Sequence, residues 1–119
     1  MKGFQVIFYN LSDGTEPVKD FLCELGIKME AKMIRAIALL EAAGNELREP
    51  DSKHLDDGIF ELRAKVGSDI TRVLYFFVIG KRIVLTNGFV KKTDKTPLSE
   101  IDRAKKYRAE YLSREESQQ

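Results

Sequence analysis

The chain has 119 residues, 43% apolar content and a formal net charge of +1, a composition typical of one domain with a buried core. The near-neutral total charge excludes binding to a polyanion through overall charge alone. The single cysteine, Cys23, excludes an internal disulfide framework and any zinc site built on several cysteines. The first residues lack the apolar run of a signal peptide, and no apolar stretch is long enough to span a membrane, so we expect a cytoplasmic protein.

Charge is distributed unevenly along the chain. Residues 10–61 hold 12 acidic and 6 basic side chains, whereas residues 63–95 hold 8 basic and 2 acidic ones. The basic segment is predicted to form β-strands, in which so many cationic side chains are unusual. This asymmetry predicts an acidic half and a basic half, and it indicates that one face binds an anion.

The first half of the chain predicts one strand and two helices. Residues 4–9 are rich in β-formers and precede a turn, so they are predicted to form a strand. Pro17 begins a helix whose apolar residues recur at i, i+3, i+4 and i+7 until Gly26. A second helix is predicted from about residue 27 to residue 43, with its apolar side in the core and Gly44 ending it.

The second half predicts three strands between residues 58 and 93, followed by a basic helix that Pro97 begins. The predicted order is therefore β-α-α-β-β-β-α. This is an α+β fold in which helices pack on a small, mainly antiparallel sheet. We expect residues 1–112 to form the domain and residues 113–119 to form a disordered tail.

The first predicted hairpin brings two arginines together. A two-residue loop at Gly67 and Ser68 sets Arg63 directly opposite Arg72. Like charges that face each other across a sheet destabilise it, so an anion is expected beside them. Two alternatives remain open: Glu61 or an acid of the last helix pairs with one arginine, or both guanidinium groups bind phosphate oxygens.

The second predicted hairpin has its loop at Gly80 and Lys81. That register sets Phe89 beside Arg72, where its ring is available to stack on a base, and sets Leu85 beside Phe76. The other face of the sheet then collects an apolar set suited to the two N-terminal helices: Phe60, Leu62, Val73, Tyr75, Val84 and Thr86.

The chain also carries an ordered set of runs that resembles a known family. These are EPVKDFLCEL, KHLDDGIFELR, TRVLYFF and IVLTNGFVKKTDKTPLSEIDRAKK. Together they cover nearly the whole chain and resemble the phage Gp49-like/HigB branch of the RelE/ParE toxin superfamily. The resemblance implies a RelE-like fold and the toxin of a type II toxin–antitoxin module. It also implies a ribosome-dependent mRNA endonuclease that directs the substrate's own 2′-OH at the adjacent phosphate.

The resemblance extends to particular residues. It places Arg72 at the arginine of the third strand, and it places Lys91 and Lys92 at the basic pair that ends the fourth, both phosphate-facing in the nuclease relatives. Arg63 also matches the family pattern. The chain departs from the RelE type at four positions, where nuclease relatives have basic residues and a tyrosine: Ile59, Glu61, Leu98 and Ser99.

Chemistry favours His54 as the general base or acid. A lysine would need its pKa lowered by about three units to be substantially neutral at pH 7, whereas an unperturbed imidazole titrates near that pH. The alternative is a histidine that packs or caps in a loop. The predicted catalytic residues are thus Arg72, Lys92 and His54, and the predicted RNA-binding residues are Arg63, Lys91, Phe89 and Lys53.

No nucleotide-binding glycine motif and no metal-spaced acidic cluster occurs in the sequence, so we expect chemistry without a metal or another cofactor. The expected partners are a helix-turn-helix antitoxin, the ribosome and mRNA. The antitoxin is expected either on the basic face or on the acidic helices of residues 16–43. Two other functions stay open: a ParE-like inhibitor of DNA gyrase or another host protein, and a phage-derived binding module without catalysis.

Overall fold

The computed structural model describes residues 3–117. Its elements are β1 (Gln5–Phe8), α1 (Pro17–Cys23), α2 (Ile27–Ala43), a short 3-10 turn (Gly44–Glu46), β2 (Ser52–Asp56), β3 (Ile59–Val66), β4 (Asp69–Val78), β5 (Arg82–Lys91) and α3 (Leu98–Ser117). The five strands form one sheet in the order β1-β5-β4-β3-β2. Only β1 and β5 are parallel. The predicted α+β class with a mainly antiparallel sheet is confirmed, and the arrangement is compatible with a RelE-like fold.

The structure adds one strand, β2, to the predicted order. The segment SKHLD has few β-formers, and tertiary contacts hold it in place instead. The buried hydroxyl groups of Ser52 and Tyr75 form a hydrogen bond, and β2 pairs with β3 as an edge strand. Asp57 and Gly58 join the two strands with φ of 51° and 79°, as a two-residue Asp-Gly hairpin loop requires. That dipeptide was the sequence signal for the missed strand.

The first predicted hairpin register is confirmed. β3 ends at Val66 and β4 begins at Asp69, so Gly67 and Ser68 form the loop, and Arg63 lies opposite Arg72.

The second register is confirmed only at its far end. Phe89 pairs with Arg72, but Leu85 pairs with Tyr75 rather than with Phe76. The loop is three residues long, because Val78 pairs with Arg82, and an irregularity at Thr86 restores the predicted register beyond it.

The register shift changes which side chains of β5 face the N-terminal helices. Val84 was predicted on the face of the N-terminal helices, and that prediction is wrong: it packs with the α3 cluster. Ile83 and Leu85 face the N-terminal helices instead. The cause is that one extra residue in a strand moves the neighbouring side chains to the opposite face.

The core lies on both sides of the sheet. On one face, α1 and α2 cover the predicted residues Phe60, Leu62, Val73 and Tyr75. On the other face, α3 covers Ile59, Leu74, Phe76, Val84 and Phe89. Among residues 3–117, no helix is both long enough and apolar enough to cross a membrane.

The last helix is longer than the sequence predicted. A disordered tail was expected from residue 113, but α3 continues to Ser117. Contacts with the start of β5 and with the loop after β1 hold this last turn. Glu115 forms an ion pair with Arg82, and Arg114 donates a hydrogen bond to the Asn10 carbonyl at 2.9 Å. The last two residues of the predicted tail lie outside the described residues.

Candidate functional site

A buried ionic network lies where the two predicted arginines face each other. The side chains of Glu61 and Arg72 are both 0% exposed, and Glu61 Oε1 lies 3.8 Å from Arg72 Nε. The other carboxylate oxygen, Oε2, accepts a hydrogen bond from Arg63 Nε at 2.7 Å. Glu61 therefore pairs with both arginines, and the three charges sum to +1.

The sheet also brings Phe89 to this network, as predicted. The Arg72 guanidinium carbon lies 5.6 Å from the centre of the Phe89 ring, a cation–π distance. Phe89 is only 9% exposed and belongs to the α3 core cluster. Its ring thus supports the arginine, and in this conformation it is not open for stacking on a base.

The connection between β5 and α3, residues 92–97, covers both guanidinium groups; we call it the β5–α3 loop. The carbonyl of Thr93 accepts a hydrogen bond from Arg72 Nη2. The carbonyl of Asp94 accepts one from Arg63 Nη2 at 2.7 Å, and the Asp94 carboxylate lies 3.8 Å from Arg63 Nη1. Oxygen atoms of the loop therefore occupy positions around the arginines that anion oxygens could take.

The β5–α3 loop also donates a hydrogen bond to the Glu61 carboxylate. The Thr96 hydroxyl donates to Glu61 Oε1, the oxygen that faces Arg72. No sequence pattern indicated that Thr96 or Asp94 belongs to the site. Their position after the basic end of β5 gave no signal of it.

The Arg72 guanidinium group is only partly hydrogen-bonded. Its Nε and Nη1 atoms are buried and have no hydrogen-bond partner among residues 3–117. Each buried donor left unsatisfied costs about 1–3 kcal/mol. Burial also lowers the pKa of Arg72, with the neighbouring Glu61 carboxylate opposing that shift. The network is therefore electrostatically suited to an additional anion.

Two clefts lie beside the network, and Asp94 lines both of them. The smaller one, of about 210 Å³, is lined by Lys53, His54, Leu55, Glu61, Asp94, Lys95, Thr96 and Ile101. The larger one, of about 670 Å³, is lined by Lys32, Arg35, Ala36, Leu39, Pro50, Asp51, Arg63, Ala64, Lys65, Ile70 and Asp94. The β5–α3 loop thus lines both clefts, and the larger one has an excess of positive charge.

The two basic residues of β2 point to different faces. Lys53 lies opposite Glu61 in the β2–β3 register, so it is on the same face of the sheet as the network, and it is exposed. His54 pairs with Phe60, and the two rings lie edge to face 5.0 Å apart. The Gly58 N–H donates to His54 Nε2 at 3.2 Å, so this nitrogen carries no proton in that contact.

The remaining predicted lysines lie at the end of β5. Lys91 pairs with Ile70 and is exposed. Lys92 Nζ lies 2.8 Å from Asp69 Oδ1 and 3.4 Å from Ser68 Oγ, at the β3–β4 turn. Of the predicted site residues, the fold gathers Arg63, Arg72, Phe89 and Lys53; it places Lys91 and Lys92 at the adjoining sheet end and the His54 ring on the opposite face.

Much of the positive charge on α3 is compensated. Lys105 Nζ lies 2.6 Å from Asp56 Oδ2, and Arg108 Nη2 lies 2.9 Å from Asp57 Oδ2. The hydrogen bond lowers the pKa of Asp56 and raises that of Lys105. These pairs fasten α3 to the β2–β3 turn, beside the smaller cleft.

Comparison with known families assigns the chain. The family model described as "Phage derived protein Gp49-like (DUF891)" matches residues 20–109, which are 90 of the 119 residues and include the whole ionic network. A comparison with curated proteins found no match. The Gp49-like family is associated with toxin–antitoxin systems. The chain therefore belongs to the phage-derived Gp49-like family.

Proposed function

We propose that this protein is the toxin of a type II toxin–antitoxin module and acts as a ribosome-dependent mRNA endonuclease. The observation that carries the proposal is the buried Arg72, two of whose nitrogen atoms have no hydrogen-bond partner within residues 3–117, beside Arg63 in a network of net positive charge. Such a network is preorganised for the negative charge that develops on the phosphoryl oxygens during attack by a 2′-OH. Family membership supports the toxin role.

In this proposal the RNA phosphate replaces the oxygen atoms of the β5–α3 loop. Thr93 and Asp94 now supply oxygens to the guanidinium groups. When the loop moves aside, phosphate oxygens take those bonds, and the unpartnered Nε and Nη1 of Arg72 gain acceptors. Binding of substrate thereby offsets the free energy of the lost loop contacts.

As the 2′-oxygen bonds to phosphorus and the P–O5′ bond breaks, the 2′-OH proton passes to solvent, and Lys53 is the side chain best placed to give a proton to the leaving 5′-oxygen. It lies on the network face, and a lysine is protonated at neutral pH, which is the state that an acid requires. Lys91 and Lys92 hold the RNA backbone at the sheet end, and Phe89 supports Arg72. We assign His54 to the β2–β3 turn, which its ring stabilises through Gly58.

The direct test is cleavage of a defined mRNA in purified ribosome complexes, with cut positions mapped by primer extension. We expect cleavage only with ribosomes. Lys53→Ala should slow it by about 10²-fold, at the low end for loss of a general acid. Lys106→Ala is the matched control, because Lys106 is exposed on α3 and its substitution removes the same charge. Unchanged cleavage by the Lys53 variant would refute its role.

A non-nuclease toxin is the second candidate function. The observation that favours it is the placement of the His54 ring on the face opposite Arg72, which removes the imidazole from the network. Such a protein would inhibit DNA gyrase or another host factor by binding. Inhibition of supercoiling by purified gyrase, together with intact mRNA in the ribosome assay, would establish this alternative and refute the nuclease.

A further inference from the structure

The outer edge of β3 is covered along only part of its length. β2 covers β3 as far as the pair of Ser52 and Leu62. One residue further, the Arg63 N–H donates to the Asp51 carbonyl at 2.9 Å. β3 itself continues to Val66. The last residues of β3 therefore form an edge that no strand of the described chain covers.

Lys65 presents its backbone on this edge. In an antiparallel strand, alternate residues direct their N–H and C=O groups to the same side. The N–H and C=O groups of Lys65 therefore point to the outer edge of β3, as the Arg63 N–H does. The Lys65 carbonyl accepts a hydrogen bond from Lys32 Nζ at 2.9 Å. A side chain, rather than a strand, thus satisfies this carbonyl, and the edge can pair with an added strand.

The larger cleft lies along the same edge, between β3 and α2. Its apolar lining includes Ala36, Leu39, Pro50, Ala64 and Ile70. Its charged lining consists of four cations and two acids: Lys32, Arg35, Arg63, Lys65, Asp51 and Asp94. Leu39 is 44% exposed in it. The cleft therefore combines a pairing edge, apolar surface and an excess of positive charge.

This combination selects the kind of occupant. A second copy of the chain would bring Lys65 and Lys32 close to identical cations, which disfavours edge-to-edge pairing. Single-stranded RNA is disfavoured because the lining contains no aromatic side chain for base stacking. An extended peptide with acidic side chains matches both the backbone groups and the charge.

We propose that an extended acidic segment of a partner protein binds in this cleft as an added strand on β3. Its backbone pairs with the N–H and C=O of Lys65. Its carboxylates replace that carbonyl as the partner of Lys32 and also pair with Arg35. Its alternate apolar side chains point to the other face of the sheet, where Ile70 lines the cleft. Because binding needs no catalytic step, the inference is independent of whether the protein cleaves mRNA.

The test uses the full chain and a capped seven-residue peptide that alternates glutamate and valine. We expect the peptide to shift the backbone amide NMR signals of Lys65 and Val66 and to bind with a measurable Kd. Charge reversal by Lys32→Glu with Arg35→Glu should weaken binding about tenfold or more, since both replacements oppose the peptide charge. Lys106→Glu, on exposed α3, should leave Kd unchanged.

Peptide controls on the unmodified protein keep the test independent of how the variants fold. A peptide with lysine in place of glutamate, and one whose backbone nitrogens are methylated, should both fail to bind. Absence of binding by the glutamate peptide, or shifts confined to other surfaces, would overturn the proposal. Equal shifts of Lys65 and Val66 with an eight-residue polyuridine RNA, or self-association that shifts them without peptide, would also overturn it.

Discussion

Glu61 Oε1 lies 3.8 Å from Arg72 Nε, and both side chains are completely buried. A buried ion pair is weak support for stability by itself, but removal of one partner leaves an uncompensated charge. Arg63 shares the same carboxylate, at 2.7 Å. One acid therefore holds two cations on neighbouring strands.

Neutralising Glu61 should strongly destabilise the fold. Glu61→Gln keeps the side-chain shape but leaves Arg72 buried beside a neutral amide, so we expect a loss of about 3–5 kcal/mol in the free energy of unfolding. Urea denaturation measures it. Glu116→Gln, at an exposed position of α3, is the control. A loss below about 1 kcal/mol would mean that the network does not depend on this charge.

Removing the Asp94 carboxylate should favour RNA binding. Asp94 is 87% exposed and lies 3.8 Å from Arg63, so its contribution to stability is small, at about 0–1 kcal/mol. In Asp94→Ala the loop loses this contact and RNA phosphate loses a competitor. We expect the affinity for single-stranded RNA to rise about twofold to fivefold, measured by fluorescence anisotropy. Asp102→Ala makes the same charge change on α3, and an equal rise there would show a non-specific effect of net charge.

Salt dependence should report the number of phosphates bound. If the basic face holds about four phosphates of single-stranded RNA, the slope of log affinity against log salt should be about −3. Substituting Lys53 and Lys95, which both line the smaller cleft, with alanine should reduce the slope by about 1.4. The Lys106→Ala protein serves as reference. A slope near zero for the unmodified protein would mean that RNA does not bind through this face.

Gly88 on β5 allows α1 to pack closely. A Cβ atom at this position would lie 2.5 Å from Phe21 Cδ2 and 3.2 Å from the Arg72 carbonyl oxygen. Gly88→Ala should therefore destabilise the protein by about 1–3 kcal/mol, the range for overpacking. At Gly26, the N-cap of α2, a Cβ atom would meet nothing within 4 Å, so Gly26→Ala should cost only the weaker capping preference of alanine, about 0.5–1 kcal/mol. Similar thermal unfolding of the two variants would refute this account.

The pair of Asp56 and Lys105 should make stability depend on pH at both extremes. The hydrogen bond from Lys105 lowers the pKa of Asp56 below 3.8, so its stabilisation is complete above that pH and is lost as pH falls through the lowered pKa. The pKa of Lys105 is raised above 10.5, so its contribution is lost only as pH rises through the raised value.

Asp56→Asn should accordingly unfold at a lower temperature than the unmodified protein at neutral pH. The difference should shrink as the pH falls through the lowered pKa of Asp56, because below it Asp56 is protonated in both the folded and the unfolded states. Differential scanning calorimetry across that range measures it. A difference that is independent of pH would mean that packing, rather than charge, is responsible.

The sequence by itself determined the class of fold and the meeting of Arg63 with Arg72. Alternation along β3 and β4 and the loop residues Gly67 and Ser68 are local signals, and local geometry was enough to set that register. The pairing of Arg72 with Phe89 was also predicted. It was correct because a longer loop and the irregularity at Thr86 compensate for each other, which no local pattern revealed.

Only the tertiary structure decided which groups are accessible. The strand β2 forms through its pairing with β3 and the contact of Ser52 with Tyr75, because its own residues have little β-propensity. That pairing fixes Lys53 on the network face and directs His54 to the other one. Burial of Arg72 likewise depends on Thr93, 21 residues away along the chain. Burial and facing are set by contacts between distant segments, so composition and periodicity could identify the cations but not their surroundings.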